Sequence, residues 1–244
     1  MSKRLTIMTA GPYTEVTVCP VLSGQERPHE RAVIRKCCSQ AMQCINDRKA
    51  ARRFKLLLAA NFGPHDYVVT LTYSDAALPA TPELAKKKKL KPFINHLRDE
   101  FKKRGYPTLK YMYVTEGLHG DHRIHHHLIL PNVPDLFQIV RRLWQKNGTV
   151  AFDRIGADAY DGWASYLTKE PRDKGRRRLG DRMWIPSMKL EKPTIETFEV
   201  ENDFVFVPPH GADIRNDNTI RYETGWYQYV SYMIPQSKPE KSEN

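Results

Sequence analysis

Three consecutive histidines inside an apolar segment constrain the fold of this chain more than any other feature. Arg123 to Leu130 reads Arg-Ile-His-His-His-Leu-Ile-Leu, and its isoleucine and leucine content predicts a β-strand. Side chains alternate between the two faces of a strand, so His125 and His127 project together. His126 then shares the opposite face with the apolar residues, and we expect it to be a buried or half-buried histidine rather than a ligand.

A carboxylate is expected close to this pair of histidines. Glu116 ends the preceding segment, which also predicts a strand, and a neighbouring strand would bring it beside His125 and His127. Two imidazoles and one carboxylate with open positions form the ligand set of a metal-assisted enzyme. A surface histidine tract that includes His119 and His122 and binds metal only adventitiously has the same spacing, so the pattern alone leaves both interpretations open.

The order of the predicted elements indicates an α+β fold. The elements are a strand at 67–73, a helix at 82–104, strands at 110–116 and 122–130, a helix at 135–145, a strand at 148–153 and a helix at 157–169. This order predicts a ferredoxin-like (split βαβ) antiparallel sheet with an extra helix. We expect the helices to cover one face of the sheet, which leaves His125 and His127 on an open face.

The chain divides into three predicted parts. Residues 1–64 are expected to form a basic, cysteine-containing helical segment packed on the core, 65–193 the core itself, and 194–244 an extension of strands and aromatic residues. In a reducing compartment the cysteines indicate thiols or a metal clip rather than disulfides, although no clean Cys-x-x-Cys pair supports a zinc site. The cysteines are Cys19, Cys37, Cys38 and Cys44.

The chain carries 39 basic and 28 acidic residues, a formal net charge of +11, and much of the excess is clustered. A lysine-rich group lies between Lys86 and Lys110, and by itself it is compatible with a solvated face. The arginine-rich group is Arg172, Lys174, Arg176, Arg177, Arg178 and Arg182. Because guanidinium groups match the geometry of phosphates, this second group predicts binding to nucleic acid.

Several classes of protein are disfavoured by the sequence. No Gly-x-x-x-x-Gly-Lys-Ser/Thr phosphate loop occurs, so any nucleotide-driven motor has to come from a partner. Met1 to Pro12 lacks the apolar region of a signal peptide, and no stretch approaches the roughly 20 apolar residues of a membrane span. We therefore expect a cytoplasmic protein without a membrane partner.

Four segments resemble, in this order and spacing, the three motifs of the HUH endonuclease superfamily. They are Thr-Leu-Thr-Tyr-Ser-Asp at 70–75, the Glu116 segment, His-His-His-Leu-Ile-Leu at 125–130 and Tyr-Leu-Thr-Lys at 166–169. The likeness is to single-tyrosine rolling-circle replication initiators of plasmids and of filamentous and microvirus phages. Residues 37–53 and 180–193 resemble segments that flank these motifs, so the resemblance covers roughly residues 35 to 195.

The resemblance implies a metal-assisted strand transfer. The carboxylate and the two imidazoles would hold Mg²⁺ or Mn²⁺, and Tyr166 would attack a phosphodiester to give a covalent 5′-phosphotyrosine. Lys169, one helical turn away, would lower the pKa of the tyrosine or hold the phosphate. Tyr160 lies six residues earlier and therefore on a different face of the helix, so one tyrosine is well placed.

The implied substrate is single-stranded DNA at a replication origin, nicked and rejoined in the cytoplasm of a bacterial host with a separate helicase and polymerase. Tyr73 or Tyr113 on the open face of the sheet would stack bases. Three alternatives remain at this point: an HUH transposase or relaxase, a non-catalytic basic nucleic-acid-binding protein, and a two-histidine, one-carboxylate iron oxygenase. The antiparallel order of elements and the basic charge both disfavour the oxygenase.

Overall fold

The computed structural model describes residues 2–21, 40–120, 122–156, 159–173, 182–222 and 225–234. The chain divides into two compact units, Lys36–Leu190 on the one hand and Met1–Arg35 with Glu191–Asn244 on the other. Within the described residues each unit contains a five-stranded antiparallel sheet, and the helices belong to the first unit. The predicted α+β class is therefore confirmed. In the same part of the chain, no helix is both long enough and apolar enough to cross a bilayer.

The described elements follow one another in this order along the chain. They are β1 (Lys3–Ala10), β2 (Tyr13–Pro20), α1 (Gln40–Asn61), β3 (Tyr67–Leu71), a 3-10 turn (Asp75–Ala77), α2 (Pro82–Leu84), a π-helical segment (Ala85–Leu90), α3 (Lys91–Lys103), β4 (Met112–Glu116), β5 (His125–Leu130), α4 (Leu136–Trp144), β6 (Val150–Arg154), α5 (Tyr160–Asp173), β7 (Ile185–Pro186), β8 (Thr194–Val200), β9 (Asp213–Tyr222) and β10 (Gly225–Met233).

The unit that contains both chain termini is a sheet in the order β8-β1-β2-β10-β9. Apolar residues that alternate along the strands form its core, which consists of Leu5, Val16, Val18, Val230 and Tyr232. Helical structure was expected for the first residues of the chain, and this expectation is wrong for residues 3–20. Their alternating apolar and β-branched side chains suit a hairpin, which turns at Gly11 with a φ of 56°.

The other unit is built on a sheet in the order β6-β3-β5-β4-β7, with every neighbouring pair antiparallel. The helical segment that ends in α3 connects β3 to β4, and α4 connects β5 to β6. Because β3 lies between β5 and β6, and β5 between β3 and β4, each helical connection crosses over an intervening strand. This is the predicted split βαβ, ferredoxin-like arrangement, and the prediction is confirmed.

Helices α3 and α4 cover one face of this sheet, as expected. Leu97, Phe101 and Trp144 are buried there against alternate residues of β3 and β5. Fully burying a large apolar side chain contributes about 1.5–3 kcal/mol, so this layer is the main source of stability on this face. The Trp144 indole donates a hydrogen bond to the Thr72 carbonyl at 2.8 Å. Gly148 lies beside the same carbonyl, and a Cβ there would come within 2.2 Å of its oxygen.

The opposite face of the sheet is not left open, so that part of the expectation is wrong. Val68, Met112 and Ile129 on this face are buried. Helix α5, the predicted extra helix, contacts β4 on this side, and α1 packs against α5. The tyrosine-bearing helix therefore lies directly over the face to which His125 and His127 belong.

Candidate metal centre

The antiparallel pairing of β4 with β5 brings one carboxylate and two imidazoles together. Glu116 lies directly opposite His125 in the register, and His127 projects from the same face. The two carboxylate oxygens of Glu116 lie 3.4 Å from Nε2 of His125 and 3.5 Å from Nε2 of His127. The two Nε2 atoms are 3.1 Å apart. These potential ligand atoms all lie within 4.8 Å of one another, which confirms the predicted grouping.

The hydrogen bonds around this triad suit a metal ion. Nδ1 of His125 can donate to the Arg123 carbonyl at 2.9 Å, and Nδ1 of His127 to the Thr70 hydroxyl at 3.0 Å. Each ring then directs the lone pair of Nε2 towards the other, and such hydrogen bonds on the far nitrogen are typical of metal-binding histidines. Oε1 of Glu116 is buried and has no hydrogen-bond partner among the described residues. A divalent cation would satisfy all of these atoms, so the donor set fits one.

The electrostatics keep the carboxylate ionised. Burial by itself would raise the pKa of Glu116, but hydrogen bonds and charge from His125 and His127 outweigh it and hold that pKa well below its usual range. Burial would likewise lower the pKa of His125, yet the contacts with Glu116 and the Arg123 carbonyl raise it overall. A negatively charged oxygen ligand is therefore present at neutral pH.

His126 lies on the opposite face and has a structural role, as predicted. Its side chain is fully buried, and its ring can accept a hydrogen bond from the Tyr73 hydroxyl at 2.8 Å and donate one to Thr115 at 2.9 Å. Burial, with a smaller contribution from neighbouring positive charge, lowers the pKa of His126 to about 3. The ring therefore remains neutral and cannot turn towards the triad.

Tyr73 does not lie where a base could stack on it, so the prediction for this residue is wrong. It is only 4% exposed and packs against Trp144 and His126 beneath α3 and α4. The alternation that begins at Tyr67 places it on the helix-covered face. Tyr113 lies half-buried against the same core, and burial raises its pKa to about 12. Neither ring faces the triad.

Tyr166 projects from α5 beside the triad. Its ring packs edge-on against the His127 ring with 5.6 Å between centroids, and the residue is 44% exposed. Nζ of Lys169 lies over the same ring, 3.9 Å from its centroid. Tyr160, by contrast, is 2% exposed and donates its hydroxyl to the Phe62 carbonyl at 3.1 Å. One tyrosine of this helix is accessible beside the histidines and the other is part of the core.

Glu170, which the sequence analysis missed, ties α5 to the strand that carries Glu116. Its two carboxylate oxygens accept hydrogen bonds from the backbone amides of Gly117 and Leu118, at 2.9 and 2.8 Å, and its side chain is buried. Gly117 has a φ of 83°, and a Cβ there would come within 2.8 Å of the Ile124 Cα. Because Gly117 follows Glu116 directly, this contact holds the carboxylate ligand in place relative to Tyr166.

Two clefts meet at Tyr166. The first, of about 480 Å³, lies on the side of the triad and of Lys169, and is called here the lysine cleft; it is lined by Glu116, Arg123, His125, Tyr166, Lys169 and Glu170. The second, of about 400 Å³, is called here the tryptophan cleft; it is lined by Thr70, His127, Asp153, Gly162, Trp163 and Tyr166. The tyrosine ring therefore separates two spaces that each reach one histidine of the triad.

A third cleft collects positive charge. It has a volume of about 450 Å³ and is called here the basic cleft; its cations are Lys49, Arg53 and Arg182. Trp184 forms part of its wall and donates its indole N–H to the Ala50 carbonyl at 2.9 Å. Of the predicted arginine-rich group, Arg182 thus lies in a cleft with two further cations. The side chains of Arg172, Lys174, Arg176, Arg177 and Arg178 lie outside the described residues.

The same holds for part of the cysteine prediction. Cys37 and Cys38 lie outside the described residues, and Cys19 and Cys44 are free thiols. The sequence held one usable signal for a residue that was missed: Glu170 follows Tyr166 by one helical turn and so faces the same side. Thr70 and Asp153 carried no such signal, because their place beside the triad depends on the strand order.

Residues 66–171, which extend from the start of β3 almost to the end of the tyrosine-bearing helix, match the family model for the replication-associated protein ORF2. No curated protein and no solved structure matches the chain. The matched region contains the triad, Tyr166, Lys169 and Glu170. The match supports a role in replication for the region that carries the site.

Proposed function

We propose that this protein is a rolling-circle replication initiator of the HUH type, which nicks and rejoins single-stranded DNA at an origin. The observation that carries the proposal is the contact between His127 of the triad and the exposed ring of Tyr166. A cluster of metal-type ligands and an accessible phenol in one cleft are the two parts that such chemistry requires. The match to a replication-associated family agrees with this assignment.

Glu116, His125 and His127 hold Mg²⁺ or Mn²⁺ in this proposal. The cation, when bound, screens the charge of the scissile phosphate and stabilises the departing 3′ oxygen. Glu116 contributes the only negative charge of this ligand set, and its depressed pKa keeps that charge in place. Thr70 and the Arg123 carbonyl orient the two rings, and Glu170 fixes the loop that follows Glu116.

Tyr166 is the nucleophile. Its phenolic oxygen forms a bond to the phosphorus while the bond from phosphorus to the 3′ oxygen breaks, which leaves a 5′-phosphotyrosine and a free 3′ hydroxyl. The phenol gives up one proton to solvent and the departing oxygen takes one up. Because the covalent link keeps the phosphoryl group activated, attack by a 3′ hydroxyl reverses the reaction and rejoins the strand.

Lys169 assists this step through its charge. A free phenol has a pKa near 10, so a nearby cation favours the phenolate. The ammonium group lies over the ring, in a cation–π contact, at the edge of the lysine cleft. The flexible lysine stem allows the charge to follow either the phenolate oxygen or the phosphate.

The DNA must be single-stranded at the cut, because a helix-borne tyrosine and the triad cannot both reach a phosphate within regular duplex. The basic cleft and the arginine-rich group formed by Arg172, Lys174 and Arg176 to Arg178 attract the backbone on either side of the cut. The sequence contains no phosphate loop of its own, so a separate helicase and a polymerase act with this protein.

The test is the covalent adduct. The protein is incubated with a randomised single-stranded DNA library and Mn²⁺, and denaturant-resistant protein–DNA adducts are isolated and sequenced. We expect adducts that share a sequence, that disappear with a chelator, and that carry the nucleotide on the peptide containing Tyr166. An adduct on Tyr227, Tyr229 or Tyr232 would move the nucleophile elsewhere. DNA binding without any adduct would favour a non-catalytic nucleic-acid-binding protein.

A further inference from the structure

The tryptophan cleft has no part in the chemistry described above, although it shares a wall with the triad. Trp163 and Tyr166 line it from α5, and Thr70 and His127 from the sheet. The Trp163 and Tyr166 rings meet edge-to-face at 84°, with 6.0 Å between centroids. A cleft with aromatic walls beside the scissile phosphate is large enough for a single unpaired base.

Asp153 brings a negative charge to this cleft. In the pairing of β3 with β6, Asp153 lies opposite Val68 and Ala151 lies opposite Thr70. Thr70 in turn lies opposite His127, so the side chain of Asp153 projects from the same face as the triad. The carboxylate is exposed and lines the cleft that ends at His127 and Tyr166.

We propose that the tryptophan cleft binds one unpaired base next to the scissile phosphate, and that Asp153 selects guanine there. This inference rests on the proposed nicking of single-stranded DNA. A carboxylate repels the phosphates of a nearby strand, so in a chain of net charge +11 its position beside the reacting site calls for a compensating contact. Donor groups on the edge of a base supply that contact.

The choice of guanine follows from the pattern of donors. An ionised carboxylate only accepts hydrogen bonds, and its two oxygens can accept two of them in parallel. The Watson–Crick edge of guanine presents two adjacent donors, N1–H and the 2-amino group. Adenine and cytosine present one amino donor beside an acceptor nitrogen, and thymine presents one donor between two carbonyl oxygens. Guanine alone satisfies both oxygens of Asp153.

Gly162 offers a way to close the cleft without disturbing the fold. It lies in the first half of α5 and lines the cleft, and a Cβ at this position would meet nothing within 4 Å. A leucine there extends into the space that the base would occupy. Replacing a helical glycine also favours the helix, so Gly162→Leu should not unfold the protein.

The experiment measures base selectivity directly. Fluorescence anisotropy gives the affinity for oligothymidine strands that contain one central guanine, hypoxanthine, adenine or cytosine, in the Tyr166→Phe background so that no adduct forms. We expect guanine to be preferred over thymine by a factor of about 5 to 100, the discrimination of one bidentate contact. Hypoxanthine lacks the 2-amino group and should lose most of that factor.

Three variants then test the assignment. Asp153→Asn should abolish the preference for guanine and shift it towards adenine, because an amide presents one acceptor and one donor. Gly162→Leu should reduce the affinity for the guanine strand to that for the thymine strand. The matched control is Asp99→Asn, an exposed carboxylate on α3 at the other face of the sheet, which should leave the preference unchanged.

The possible failures are distinguishable. If Asp153→Asn keeps the wild-type preference, or if wild type shows none while it still forms the Tyr166 adduct, the base-reading role is refuted and the proposed function stands. If wild type neither binds single strands nor forms an adduct, both are refuted. Equal weakening on all strands in Asp153→Asn would also overturn the assignment, since a residue that reads a base must act on one base more than on the others.

Discussion

Removing the hydroxyl groups of Tyr166 and Tyr160 in separate variants should have opposite consequences, although both tyrosines belong to α5. The Tyr166 hydroxyl forms no hydrogen bond with any residue that the structure describes, and the side chain is 44% exposed. Tyr166→Phe keeps the ring that contacts His127. We therefore expect the free energy of unfolding to change by less than about 0.5 kcal/mol, as is usual for surface substitutions, and the covalent adduct to disappear.

Tyr160→Phe removes a buried donor instead. The hydroxyl of Tyr160 donates to the Phe62 carbonyl, and both residues are buried, so the substitution leaves that carbonyl without its partner. An unsatisfied buried acceptor costs about 1–3 kcal/mol. For a unit of this size we expect the melting temperature to fall by roughly 2–12 °C. Nicking measured well below that temperature should be unchanged.

Thermal and urea denaturation give the stability of each variant, and denaturing gels give the yield of adduct. The reasoning about Tyr166 would be refuted by an adduct in Tyr166→Phe, or by a stability loss above about 1 kcal/mol in that variant. Loss of the adduct in folded Tyr160→Phe would show that the buried tyrosine takes part in the reaction. A crossed pattern, with stability lost in one variant and activity in the other, is the expected result.

Three further predictions follow from the site. Titration calorimetry with Mn²⁺ should show that His125→Ala and His127→Ala lose binding, whereas His126→Ala should keep a Mn²⁺ site but lose about 2–5 kcal/mol of stability, because a buried ring is removed. Glu170→Gln should cost about 1.5–3 kcal/mol through a lost charged hydrogen bond and should weaken Mn²⁺ binding, which a wild-type affinity would contradict. Replacing all three cations of the basic cleft with glutamine should flatten the plot of log affinity for single-stranded DNA against log salt by about 2, at roughly 0.7 per phosphate contact, and an unchanged slope would make the cleft a solvated surface.

The amino-acid sequence by itself determined the parts of this protein that depend on local periodicity. The alternation of side chains along one strand was enough to separate His125 and His127 from His126, and to predict that Glu116 lies near the first two. The spacing of apolar residues predicted the helices and strands of the ferredoxin-like unit and their order. These properties are set within a few residues, so they can be predicted without knowing what lies across the sheet.

Only the tertiary structure decided which face each element covers and which distant residues meet. Tyr73 and Tyr166 both read as exposed aromatic candidates, yet one lies under α3 and α4 and the other beside the triad. Glu170 reaches the amide that follows Glu116 only because α5 returns over the sheet. Asp153 lies near His127 only because β6 joins β3 at the edge. Contacts of this kind join residues far apart in the chain, and their free energy depends on packing that no local pattern encodes.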